Sequence, residues 1–131
     1  MASVFTRIVS GELPCHKIHE DERFLAFLEI KPLKPGHTLV IPKHETDYIF
    51  DLEDRVLGDL MAFAKKVAKA IKKSVTCRKV GVLVYGLEVP HAHVHLVPID
   101  GTPGEIDFSR ACSAESAGLA KVAALIKQNL A

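Results

Sequence analysis

The sequence predicts an α+β domain built on a five-stranded antiparallel sheet, with one long helix and short terminal helices. Three observations lead there: five short apolar-rich segments, hairpin-length links between several of them, and a single long amphipathic stretch over residues 54–74. Strands and helices do not alternate regularly, so the parallel crossovers of an α/β fold are not expected. The 131 residues, 48% of them apolar, are enough for one real core, and a single domain over 1–131 is expected.

Each element has its own signal. Val4, Phe5, Ile8 and Val9 recur at helical spacing after Ser3, and Gly11 with Pro14 ends the pattern, giving a short opening helix. Residues 15–20 and 23–30 read as two strands joined by the acidic turn Glu20-Asp21-Glu22, the second of them almost continuously apolar. Residues 31–36, KPLKPG, form a connecting loop, because proline donates no ladder hydrogen bond; residues 37–41 are the third strand. In the long helix Leu57, Leu60, Met61, Ala64, Val67, Ala68 and Ile71 form the apolar stripe, with Lys65, Lys66, Lys69, Lys72 and Lys73 largely opposite. Residues 80–85 and 91–99 are the last two strands, neighbours because only 86–90 separate them. After a loop marked by Gly101, Pro103 and Gly104, Ser113 is expected to cap a final helix with Leu119, Val122, Ala123, Ile126 and Leu130 on one side.

Charge and composition exclude several functions. Seventeen basic against sixteen acidic residues leave a net +1, which gives no large field toward nucleic acid or anionic membrane. The lysines of the long helix lack interleaved aromatic residues and read as a solvated face. Cys15, Cys77 and Cys112 are odd in number and widely spaced, which suits a reducing compartment rather than a disulfide framework. Residues 1–14 lack a signal peptide's apolar centre and no run reaches membrane-spanning length, so a cytoplasmic location is expected.

The chemistry concentrates in residues 89–98, VPHAHVHLVP, where three of the seven histidines stand at alternate positions. On a strand His91, His93 and His95 share one face, while Ala92, Val94 and Leu96 share the other. At roughly 3.3 Å per residue the backbones of His91 and His95 stand about 13 Å apart, too far for one zinc ion to use all three rings. His93 and His95 with His37 could still chelate a metal, and a tolerated row of surface histidines is the plain alternative. Strict alternation inside an apolar strand favours a working site. Neutral imidazole is a nucleophile near pH 7 once an acceptor holds its other N–H, and a neighbouring ring can donate as charge builds. Transfer of a phosphorus-bound group suits these parts.

The run HAHVHLV at 91–97 resembles the histidine triad of the HIT nucleotide hydrolases and transferases, close to their HINT-like branch. So do Val4-Phe5 with Ile8, GELP at 11–14, FLAFLEI at 24–30 and PGHTLVIPK at 35–43, in order over residues 3–99. The resemblance implies the α+β sheet fold, a homodimer, no cofactor and a purine nucleoside monophosphate ligand (AMP or GMP moiety). It makes His93 the nucleophile on the α-phosphorus, His95 a contact of phosphate and leaving group, and His91 with His37 their supports. Glu29 would bind the ribose hydroxyls, with Leu13 and Ile30 beside it in the base pocket, where Phe5, Ile8 and Phe27 also match. Glu88 and Val89 would border the phosphate.

The chain also departs from that pattern. Where many members carry Gly-Gln-Ser-Val, this chain has Gly86-Leu87-Glu88-Val89, so Glu88 replaces the serine that meets phosphate. A carboxylate there repels phosphate unless it turns away or receives a cationic leaving group. Ser3 and Thr6 stand where some bacterial members have a zinc-binding Cys-x-x-Cys, and Glu45 stands at a customary histidine, so no bound metal is expected. His44, His16 and His19 read as surface residues. The expected function is a phosphoramidase-like nucleotide hydrolase working through a nucleotidyl-histidine. The alternative is a nucleotide-binding sensor or adaptor in which Glu88 has removed turnover.

Overall fold

In a computed structural model describing residues 2–130, the order is α1 (Val4–Val9), β1 (Lys17–Glu20), β2 (Phe24–Leu28), β3 (Thr38–Pro42), α2 (Asp54–Ser74), β4 (Lys79–Leu83), β5 (Val94–Ile99) and α3 (Ser116–Gln128). Met1 and Ala131, part of the expected domain, lie outside the described residues. The strands form one sheet in the order β1-β2-β3-β5-β4, and every pair is antiparallel. This is the fold class that the strand and helix pattern predicts.

Register explains why β2 and β3 are apolar on both faces. Ala26 pairs with Val40 and Phe27 with Leu39, so adjacent residues alternate between two separate apolar clusters. Phe24, Ala26, Leu28, Val40, Val94 and Leu96 face α2 and α3 in the larger cluster. Leu25, Phe27, Leu39 and Ile41 face the other way, against Phe5 of α1. Because Leu39 pairs with His95 in β3 against β5, the histidine ring is carried on the α1 side, opposite the long helix.

Three expectations shift. The stripe of α2 that enters the core is Leu60, Phe63, Ala64, Val67, Ala70 and Ile71, whereas Met61 is 38% exposed. The i, i+3, i+4 series from Leu60 runs through Phe63 and leaves Met61 one position off the face. The strand expected over 91–99 begins at Val94. Pro90 supplies no N–H, His91 N–H donates back to Val89 O (2.8 Å) and Ala92 N–H donates to Thr46 O (2.6 Å), so 91–93 are held by loops and not by a ladder. Ser113 does not cap α3; Glu115 precedes it and makes no side-chain capping bond. Ser3 does cap α1, accepting from Thr6 N–H.

Leu60 is fully buried between α2 and the sheet, and Leu60→Ala is expected to lower the unfolding free energy by about 2–5 kcal/mol. Met61→Ala is expected to change it by less than about 1 kcal/mol; urea denaturation of the two variants checks the assignment of the helix face.

Candidate active site

The four histidines singled out in the sequence converge although they come from three places: the end of the 31–37 loop, the 91–93 turn and β5. His37, His91, His93 and His95 are each at most 1% exposed. Buried imidazoles must satisfy their ring nitrogens, and the partners here fix which nitrogen carries hydrogen.

Leu33 N–H donates to His37 Nδ1 (3.0 Å), so in the neutral ring the hydrogen sits on Nε2. That N–H donates to His95 Nδ1 (2.9 Å), which forces the His95 hydrogen onto Nε2. His95 Nε2 is the one buried side-chain nitrogen or oxygen without a partner among the described residues. A relay that starts at a backbone amide therefore ends in an unused donor. Burial lowers the basicity of both rings, to pKa values of about 4 for His37 and about 3 for His95, where the neighbouring His37 and His93 rings add to the effect. Both are neutral at pH 7. The Glu88 carboxylate 3.9 Å from His95 Nε2 is accordingly no ion pair.

His93 is oriented the other way. Its Nδ1–H donates to His91 O (2.7 Å), which leaves Nε2 as the unprotonated nitrogen of a ring that lines a cavity. Phe5 meets this ring edge-on with centroids 5.0 Å apart, restricting its rotation. His91 Nε2–H donates to Pro42 O (2.7 Å), so its Nδ1 accepts from Ser3 Oγ (2.8 Å).

Behind His91 lies a cluster absent from the sequence expectations. Glu45 Oε1 accepts from Ser3 N–H (2.7 Å) and from Thr6 Oγ1 (2.6 Å), and these bonds hold its carboxyl down at about 2. The sequence signal was the coincidence of Ser3, Thr6 and Glu45 with positions given to metal ligands elsewhere. A threonine hydroxyl engaged with a carboxylate and a serine hydroxyl engaged with an imidazole do not fit a zinc site. Glu29–His37–His95 and Glu88–His93–His95 also gather ligand-type atoms within 4.8 Å of one another. His95 belongs to both sets and has no free lone pair, since Nδ1 accepts from His37 and Nε2 carries hydrogen. Neither set fits a metal.

Beside His93 the cavity encloses about 350 Å³, walled by Phe5, Ile8, Leu13, Phe27 and Val89, with Glu29 and Glu88 as its only charged side chains among the described residues. Ile30 also lines it while 60% exposed, so it forms the rim and not the floor. Burial raises the Glu29 carboxyl, and Glu88 raises it further, against the pull of the Lys31 N–H bond. All nine residues singled out for the site thus meet at one cavity and its histidine wall. Phe108 was missed: its ring lies 5.0 Å from that of His95, and the only hint was the length of the loop that carries it. His19, expected at the surface, is half-buried there and stacks on Phe63 with centroids 5.1 Å apart.

The HIT domain family matches residues 10–102. The chain belongs to the histidine triad family. An uncharacterized HIT-like protein of Borreliella burgdorferi is 36% identical over 102 residues, covering 72% of this chain and 73% of that one. Adenosine 5'-monophosphoramidase hnt1 of Schizosaccharomyces pombe is 37% identical over 100 residues, 75% of this chain and 74% of that one. The crystal structure of a Hit-like protein involved in cell-cycle regulation from Bartonella henselae, with an unknown ligand, superposes with a TM-score of 0.87 at 28% identity, over 98% of this chain and 96% of that one. No helix among the described residues is long and apolar enough to cross a membrane.

Triad burial links stability to pH. Unfolded histidines protonate below about pH 6.5, while folded His37 and His95 stay neutral down to about 4 and 3. Between those limits the unfolded chain binds more protons, so stability is highest above about pH 7 and falls as pH drops toward 4. Thermal melts between pH 7.5 and 5, above most carboxylate titration, are expected to show a falling midpoint; a rising one would contradict neutral burial.

Proposed function

We propose that this chain hydrolyses the bond between a purine nucleoside monophosphate and an amine leaving group, through a nucleotidyl-histidine at His93. The observation that carries this reading is the pairing of an unprotonated Nε2 on His93 with an unused Nε2–H on His95, beside an apolar cavity with a carboxylate at Glu29. The phosphoramidase name of the yeast relative supports the same reaction class.

The base would occupy the apolar pocket between Leu13, Phe27 and Ile30, and Glu29 would accept hydrogen bonds from both ribose hydroxyls. His93 Nε2 attacks the α-phosphorus as the phosphorus–nitrogen bond to the leaving group breaks; the departing nitrogen keeps the bonding pair and takes a proton from solvent. The positive charge that develops on His93 is shared with His91 O through the Nδ1–H bond, and His91 is itself held by Ser3 and Pro42. His95 Nε2–H donates to a phosphoryl oxygen or to the leaving group as charge shifts onto it. Water then attacks phosphorus, the bond to His93 breaks, and the monophosphate leaves. No cofactor is required for these steps.

The reading includes a homodimer. The outer edge of β4 is unpaired at the end of the sheet, and Tyr48, Phe50, Met61, Tyr85 and Leu87 line an adjoining apolar groove of about 550 Å³. An unpaired strand edge beside exposed aromatic surface favours burial against a second copy.

Two measurements test this function. His93→Ala is expected to lower kcat/KM for adenosine 5'-phosphoramidate by about 10³-fold or more. AMP binding with no turnover by the unmodified protein would instead establish the sensor or adaptor that Glu88 at the phosphate mouth also suits. In sedimentation, the double variant Phe50→Glu with Leu87→Glu is expected to be a monomer while the parent chain is a dimer.

A further inference from the structure

The site has an unusual charge pattern for one that handles phosphate. Its cavity lining includes Glu29 and Glu88 but no lysine or arginine. Of the two lysines on the loop that carries His37, Lys31 is exposed and Lys34 is taken up by Glu105 (3.1 Å) and Asp100 (3.8 Å). Arg110 lies 3.6 Å from Asp107. Glu88 makes no hydrogen bond and meets no lysine or arginine among the described residues; its ionisable neighbours are the neutral His95, 3.9 Å away, His93 within 4.8 Å, and the carboxyl of Glu29, which it raises. The Glu88 carboxylate stands next to the unused His95 N–H, where a group departing from phosphorus would pass.

An aromatic pair adjoins the His95 ring. Phe108 lies 5.0 Å from the His95 ring and 6.3 Å from Tyr85, to which it is inclined by 30°. The loop bearing Phe108 is pinned, because Glu105 bonds Lys34 and also accepts from Asp100 N–H (2.9 Å) and Gly101 N–H (2.6 Å). A carboxylate with aromatic rings nearby attracts an organic cation and repels a second phosphate.

We infer that Glu88 and Phe108, the latter backed by Tyr85, form a subsite for a positively charged leaving group. It selects nucleoside phosphoramidates whose amine carries a further ammonium group, and it disfavours substrates whose leaving group is itself a phosphate. The inference rests on the hydrolase reading above and names the substrate class for that site. In the ground state the ammonium sits against Glu88 while the single phosphate charge meets His95 N–H. When the phosphorus–nitrogen bond breaks, the diamine leaves with the bonding pair and one proton from solvent.

The test compares two substrates that differ only at the far end of the leaving group: adenosine 5'-phosphoramidates of pentylamine and of 1,5-diaminopentane. The ratio of their kcat/KM values is expected to favour the diamine about 10-fold at low salt and to shrink at high ionic strength. In Glu88→Gln the ratio is expected to fall to about 1, and in Phe108→Leu it is expected to drop two- to five-fold. Because the ratio is internal to each variant, a general loss of activity or folding does not mimic the effect. A ratio near 1 in the parent chain, or one that survives Glu88→Gln, overturns the subsite. If the parent turns over neither compound, the hydrolase reading falls; calorimetric affinities of the same pair then decide the subsite, with equal binding overturning it and preferential, Glu88-dependent binding upholding it.

Discussion

The structure depends on the burial of four imidazoles in fixed hydrogen-bond directions. A buried histidine has two nitrogens to satisfy and, when neutral, one hydrogen to place. Here backbone groups make the choice: Leu33 N–H sets His37, and through it His95, while Pro42 O sets His91 and His91 O sets His93. The outcome is two adjacent rings with opposite exposed chemistry, a lone pair on one and a hydrogen on the other. Protonation of His37, His91 or His95 would break at least one link, and desolvation keeps these three neutral by lowering their basicity.

Holding this arrangement requires a sheet with two dry faces. The larger apolar cluster, closed by α2 and α3, supports the side opposite the histidine cavity. The smaller cluster, closed by α1, puts Phe5 and Leu39 beneath the histidines and leaves a cavity where the sheet is uncovered. α1 contributes more than cover. Its capping residue Ser3 donates to His91, and Glu45 ties Ser3 and Thr6 to the chain just after β3. One short helix start thus connects the amino terminus to the residue that orients His93.

Much of this was legible from residue spacing. Strand and helix types followed from period-2 and period-3.6 patterning, and the almost continuous apolarity of residues 23–30 signalled a strand paired with the one before it. The histidine alternation pointed to one site, and the order of the surrounding motifs pointed to Glu29, Leu13 and Ile30 around it. Element ends were less legible. The expected strand at His91 fails because Pro90 and the bond from Ala92 to Thr46 O draw residues 91–93 out of the ladder, and sequence carries no record of which carbonyl an amide will find. Met61 read as core for a similar reason: it is apolar and one position from the stripe, and only the angle of α2 against the sheet turns it outward.

By itself the sequence determined the α+β class, the grouping of His37 with His91, His93 and His95, the carboxylate at Glu29, and the exchange of serine for Glu88. These are properties of local pattern and residue type, which a linear chain states directly. Tertiary structure alone decided the direction of every histidine hydrogen bond, the meeting of Ser3 with His91 across 88 positions, and the seat of Phe108 beside His95. Those depend on contacts between distant segments, whose closeness is set by the sheet order β1-β2-β3-β5-β4 and the packing of loops against it. An imidazole's chemistry follows from its partners, and its partners exist only once the chain has folded.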